Sequence, residues 1–203
     1  MSGLKAYLNY NVRAYFEQYT QFEGRTVLDF GCNRANFIRF KPHGNYTGMD
    51  VKLDLINKNK FDFPEYKFLH YDGYNYMYNS NGKEKLALKN HYDICVAFSV
   101  FTHMEIQETI DTIKILKEHS DKIYLSYYSN KDKFAYEKIC WFRDLEPTMW
   151  KDIETHDVFY VKTDKWMWTF YDDDFLQKTL GGTLHQTSFP QNDIRGMQRC
   201  LVI

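Results

Sequence analysis

The chain lacks three features that would assign it to a class at once: a basic excess, paired cysteines and a long apolar run. Its 203 residues hold 26 Lys and Arg against 27 Asp and Glu, a net charge of −1. A nucleic-acid binder carries a basic excess or stripe to meet the phosphates, so no nucleic-acid partner is expected. Cys32, Cys95, Cys140 and Cys200 are scattered and form no C-x-x-C pair. That argues against a disulfide framework or a zinc site, and for reduced thiols in a cytoplasmic setting. The longest apolar run, residues 94–101, is broken by Ser99 and is far too short to cross a bilayer. Lys5 and Asn9 interrupt the apolar pattern of the N-terminus, which leaves no signal-peptide core. A soluble protein with no membrane partner is expected. There is no internal repeat, and the length suits one α/β domain with a full core.

What the chain does have is centred on residues 26–37. Val27 to Phe30 are apolar and β-rich, and Glu23-Gly24 ahead of them are turn formers. Gly31 permits a sharp exit, and Phe37-Ile38 resume a helical apolar pattern. Strand, tight turn and helix in a dozen residues make the nucleoside- or phosphate-cradling corner of an α/β sheet. Asp29, two residues before the glycine, separates the possible ligands. A pyrophosphate facing this turn would be repelled by a carboxylate, whereas a ligand with a cationic amino-acid end would be attracted. A nicotinamide enzyme is disfavoured further, because G-x-G-x-x-G is missing.

Around this corner the elements fall in a regular order. Residues 3–20 carry apolar residues at helical spacing, and residues 46–51 read as a second strand closing on Asp50. An acid there, about 20 residues past the glycine turn, is placed to accept from ribose hydroxyls. Residues 53–59 read as a crossover helix and residues 66–73 as a third strand with its turn. Residues 74–90 lack periodicity and read as a loop. Residues 91–100 form a strand apolar on both faces. Thr102 and Glu105 match a capping box for a helix whose stripe is Ile106, Ile110, Ile113 and Leu116. Residues 122–128 are a fifth strand, and residues 184–189 and 197–203 form a closing hairpin. Between them, residues 129–168 are too long for a bare connection and carry Trp141, Trp150, Phe159, Tyr160, Trp166 and Trp168, so they are expected to be a lid or acceptor-binding insertion. Asp172-Asp173-Asp174 invite a metal reading, but acids at a helix start are explained by capping and the helix dipole, and no metal is expected. Aromatics make up 18% of the chain, which fits an aromatic-lined pocket or a coding bias equally well.

Residues 29–35 resemble motif I of the class I S-adenosylmethionine-dependent methyltransferases, D-x-G-x-G-x-G, with Asn33 and Ala35 in place of the second and third glycines. Asn visits left-handed backbone readily, and Ala is small enough to keep helix and strand close. Tyr78-Asn79-x-x-Gly82, Tyr92-Asp93-Ile94 and Ser99-Val100-Phe101-Thr102-His103-Met104 resemble a bacterial branch of these enzymes in order and spacing. The resemblance implies an α/β, Rossmann-like class I methyltransferase fold in a single domain over residues 1–203, with a seven-stranded, mostly parallel sheet, helices on both faces and a closing antiparallel hairpin. It implies S-adenosylmethionine as cofactor, S-adenosylhomocysteine as product, and a cofactor site of Asp29, Gly31, Cys32, Asn33, Asp50, Val51, Asp72, Phe98 and Ser99. For Asp72, an Asp-Gly turn signal reads equally well. His103 is the candidate base, since it follows strand four at the carboxyl edge of the sheet and histidine is the side chain whose unperturbed pKa lies near neutrality. The expected reaction is O-methylation of a small-molecule or glycan-like acceptor. The alternative is a non-catalytic binding protein in which Asn33 and Ala35 mark a decayed cofactor site. Oligomeric state is left open.

Overall fold

The structure is a computed structural model that describes residues 22, 24–35, 38, 45–142, 156–185 and 198–203. The expected opening helix and most of the helix after the glycine turn lie outside these residues, as does Trp150.

Among the described residues there are nine strands: β1 (Val27–Phe30), β2 (Tyr46–Asp50), β3 (Lys67–His70), β4 (Ile94–Ala97), β5 (Ile123–Ser129), β6 (Val158–Lys162), β7 (Met167–Tyr171), β8 (Thr183–His185) and β9 (Arg199–Val202). The helices described are α1 (Leu53–Asp62), α2 (Ile106–Glu118), α3 (Lys133–Phe142) and α4 (Asp173–Leu180), with a 3₁₀ turn at Phe101–His103. Strands β3, β2, β1, β4 and β5 are parallel neighbours in that spatial order. β1, β4 and β5 are buried at every residue, which is why they read as continuous apolar or aromatic runs rather than alternating ones. β5 then divides its far edge. Tyr124 to Tyr127 pair antiparallel with β9, which pairs antiparallel with β8. Seven strands thus follow the expected path, closed by the expected hairpin.

The last two residues of β5, Tyr128 and Ser129, pair instead with β7, which is hairpinned to β6. Among the described residues, that hairpin and α3 are the regular structure between β5 and α4. Tyr128, Tyr136, Ile139, Trp168 and Phe170 bury one another there as a cluster of their own. The insertion is therefore built onto the carboxyl end of β5, at the edge where open α/β sheets bind ligands.

The capping box is not formed. Residues Phe101–His103 turn as 3₁₀, α2 begins only at Ile106, and neither helix start has a side-chain cap bond. Thr102 is drawn fully inside by the packing of this turn, where its Oγ1 meets no hydrogen-bond partner among the described residues. The acids at α4 behave as expected, with the Asp172 side chain accepting from the Phe175 backbone N–H.

Candidate functional site

Three loops meet at the carboxyl ends of β1, β2 and β4. Gly31, Asn33 and Ala35, the three positions of the glycine turn, all have positive φ, at 76°, 49° and 50°. Asn33 and Ala35 therefore hold the left-handed conformation that glycine adopts without cost. Such strain persists only where the surroundings over-determine it, and Asn33 is held from both sides. Its N–H donates to Asp50 Oδ2 at 2.8 Å, and its carbonyl accepts from Asn59 Nδ2 at 2.7 Å. Asn59 lies on α1 and is 2% exposed. Gly31 and Cys32 both donate their backbone N–H to the Met49 carbonyl, which ties the turn to β2.

The expected cofactor residues divide into two sets. Asp50 closes β2 at the edge, half-buried, and its Oδ1 accepts from the Lys52 N–H at 2.9 Å. A carboxylate offers about four lone-pair sites, and these bonds with Asn33 and Lys52 fill two of them, so hydroxyls arriving from solvent find acceptors already fixed in place. Val51 is also half-buried, with its carbonyl facing His70 Nε2 at 3.2 Å. Phe98 and Ser99 follow β4, and Ser99 has φ of 56°. Its N–H donates to Ser126 Oγ at 2.8 Å, and its hydroxyl donates to Gln198 Oε1 at 2.9 Å.

The second set, Cys32 and Asp29, has its side chains buried away from the edge. The Cys32 thiol is buried beside Asn59 and Gly48, where burial pushes its pKa far up. Asp29 is 5% exposed beneath the turn and accepts from the Tyr46 hydroxyl at 2.6 Å. Any influence of either on a ligand passes through backbone or through charge.

Burial pushes the Asp29 carboxyl up to about 7; the Tyr46 hydrogen bond pulls it down and the charge of Asp50 adds to the rise. A carboxyl with a raised folded pKa holds a proton that the unfolded chain has released. Stability should then fall as pH rises from about 4 to about 7, by up to about 1.4 kcal/mol per unit for one group. Glu108, half-buried on α2 and also raised to about 7 by burial, contributes with the same sign. Asp29→Asn keeps an acceptor for Tyr46 and removes the larger part of this slope. Denaturation at pH 5 and pH 8 reads it directly; an unchanged slope in the variant would refute the assignment.

The site has a second half. His103 sits in the 3₁₀ turn, and its Nδ1 lies 2.7 Å from the Met167 carbonyl. A carbonyl only accepts, so Nδ1 carries the proton and Nε2 of the neutral ring carries the lone pair. The ring is flanked edge-on by Tyr78 at 5.8 Å and Trp168 at 6.4 Å, and Trp166 stacks on Trp168 at 6.1 Å. Strand β7 holds this turn closed: Thr169 Oγ1 donates to the Met104 carbonyl and the Tyr171 hydroxyl to the Phe101 carbonyl. The loop bearing Tyr78 is also anchored. Asp72 Oδ1 and the Gly73 carbonyl accept from Asn79 Nδ2, and Asn75 Nδ2 donates to the His103 carbonyl. A Cβ on Gly82 would meet the Gly73 carbonyl at 2.3 Å. The Tyr-Asn-x-x-Gly spacing thus has a structural reason, and Asp72 has its turn role whether or not it meets a ligand. The Tyr76 hydroxyl reaches the insertion, donating to the Thr163 carbonyl at 2.6 Å.

Asn59, Gln198, Ser126, Met167 and Tyr46 support the site and were not expected from sequence. All five act over long sequence separations. Only Asn59, a polar residue inside a helix, leaves a local trace.

The sequence matches no protein-family model and no curated protein, so similarity rests on structure. Magnesium protoporphyrin IX methyltransferase (ChlM) from Synechocystis PCC 6803, with bound S-adenosylhomocysteine, superposes with a TM-score of 0.64 at 16% identity, over 96% of this chain and 80% of that one. The glycopeptide N-methyltransferase MtfA, also with S-adenosylhomocysteine, gives 0.61 at 10% identity over 95% and 87%. An S-adenosylmethionine-dependent methyltransferase from Clostridium acetobutylicum gives 0.56 at 10% over 98% and 90%. The chain has the Rossmann-like fold of these methyltransferases.

Proposed function

We propose that the chain is an S-adenosylmethionine-dependent methyltransferase acting on the hydroxyl of a small-molecule or glycan-like acceptor. The observation that carries this reading is the turn at residues 31–35, left-handed at all three motif positions and clamped to Asp50 at the end of β2. A site losing its function would have no reason to keep Asn33 and Ala35 strained, so this conformation speaks for a working cradle rather than a decayed one. The similar structures with bound S-adenosylhomocysteine support the same ligand.

The residues fit that group in two places. The Asp50 carboxylate would accept from ribose hydroxyls, and the turn from Gly31 to Asn33, with Val51, Phe98 and Ser99, would frame the nucleoside and amino-acid ends. When bound, S-adenosylmethionine supplies a methyl group on a sulfonium, an already activated leaving group. The protein then has to align, exclude water and manage one proton. His103 Nε2 takes that proton from the acceptor hydroxyl, and the Met167 carbonyl steadies the imidazolium through Nδ1–H. The hairpin of β6 and β7 forms the acceptor wall beside it.

Asp50→Ala should weaken S-adenosylhomocysteine binding at least tenfold, about 1.4 kcal/mol, since it removes a charge-assisted acceptor and one clamp of the turn. Isothermal titration measures this, with NAD as a control expected to give no heat. Wild-type protein that binds no S-adenosylhomocysteine at millimolar concentration would overturn the reading.

A further inference from the structure

The two halves of the site are joined by one side chain that neither half explains. Lys52 directly follows the Asp50-Val51 edge, and its ammonium lies over the ring of Tyr78, 5.0 Å from the centroid. Tyr78 is 41% exposed and meets His103 edge-on at 5.8 Å. Cation, aromatic face and base therefore follow one another from the cofactor edge to the acceptor wall.

Lys52 has no evident structural task there. It occupies the N-cap of α1, where Ser, Asp or Asn would satisfy a backbone donor and where a cation is disfavoured, and it forms no side-chain cap bond. No carboxylate among the described residues pairs with its ammonium, although the neighbouring lysine of this wall, Lys162, is paired with Glu105 at 3.0 Å while lying over Tyr76. The nearby carboxylates are turned to other donors: Asp50 accepts from two backbone N–H groups, and Asp72 from Asn79. A residue that breaks a local preference with only an aromatic face in return marks a functional position.

We propose that the acceptor is an anionic ring compound: Lys52 binds its carboxylate, Tyr78 and the half-buried Trp166 contact the ring, and His103 receives the hydroxyl proton. This deepens the methyltransferase reading and rests on it for the reaction, though not for the binding. A ring acid can be phenolic or a sugar acid, and both present a carboxylate, a flat or apolar face and a hydroxyl.

Two matched pairs of probes separate these sources: 4-hydroxybenzoate against 4-hydroxybenzamide, and glucuronate against glucose. Each is titrated by tryptophan fluorescence up to 20 mM, with and without S-adenosylhomocysteine. At least one acid should bind tenfold or more tightly than its neutral partner. Lys52→Gln should reduce that preference to within twofold, Lys52→Arg should retain it, and Lys89→Gln, a charge change on an exposed residue away from the track, should leave it intact. Equal binding of acid and neutral probe in both pairs, no binding of either acid, or a preference that survives Lys52→Gln overturns the proposal. Failure of S-adenosylhomocysteine to bind while the acid preference persists would instead count against the methyltransferase reading alone.

Discussion

Arg199→Met is expected to destabilise the protein by about 3–5 kcal/mol, among the largest effects of any single substitution outside the site. Arg199 opens β9 and pairs through Nη1 with Asp173 Oδ2; Asp173, at the start of α4, is 5% exposed. The other carboxylate oxygen accepts from the fully buried Tyr127 hydroxyl of β5 at 2.9 Å. Removing the guanidinium leaves a carboxylate in the core with one neutral donor. Its desolvation is then no longer offset, and that penalty dominates over the modest net worth of the pair itself. Arg199→Met with Asp173→Asn removes both charges and should regain most of the loss. Urea denaturation of the two variants decides it: a cost below 1 kcal/mol for the single substitution would show that water already solvates Asp173.

This network was not legible in the sequence, and the reason is physical. Asp173 sits in a run of three acids, each of which suits a helix start. Asp172 is the cap, Asp174 lies beside Lys131, and only the long-range pairing with residues 46 and 26 positions away singles out Asp173. The strands that were legible, β1, β2 and β4, are short apolar runs bounded by turn residues. Their burial on both faces comes from the parallel sheet rather than from any distant side chain.

Residues 129–168 were legible as too long for a bare connection, but their hairpin was not expected. Val158–Lys162 and Met167–Tyr171 are β-branched and aromatic runs separated by four residues, which is a hairpin signal. The six aromatics drew attention to ligand stacking, yet Trp168 is nine-tenths buried in the cluster around Phe170, and Phe159 and Trp166 pack on its rim. Part of the aromatic content is therefore core. The capping box failed for a related reason: Thr102 and Glu105 have the right spacing, but packing against Tyr171 and Met104 closes a 3₁₀ turn first. That turn is what sets His103 against the Met167 carbonyl. The acid–x–glycine pattern was read correctly as a turn, while the bonds that hold Asn33 in its left-handed conformation come from Asp50 and Asn59, which no local pattern reports.

The same turn gives the other large effect. Gly31→Ala is expected to cost roughly 2–5 kcal/mol, from two separable causes. Alanine at φ of 76° sits in left-handed backbone, about 1–2 kcal/mol above glycine. Its Cβ would also lie 2.4 Å from Val100 Cγ2, and relieving such overpacking adds about 1–3 kcal/mol. Val100 immediately precedes the 3₁₀ turn that carries His103, so the clash pushes the two halves of the site apart. Val100→Ala deletes the obstructing methyl groups and leaves the nearest remaining atom at 3.6 Å. In that background Gly31→Ala should cost only the backbone strain, and the double-mutant cycle should show a favourable coupling of about 1–3 kcal/mol. S-adenosylhomocysteine affinity should follow the same order, weakest in Gly31→Ala and partly restored in the double variant. A Gly31→Ala penalty that is identical with and without the Val100 methyl groups would mean that the glycine is needed for its φ alone. Close packing between the cofactor turn and the His103 turn would then play no part in holding the site together.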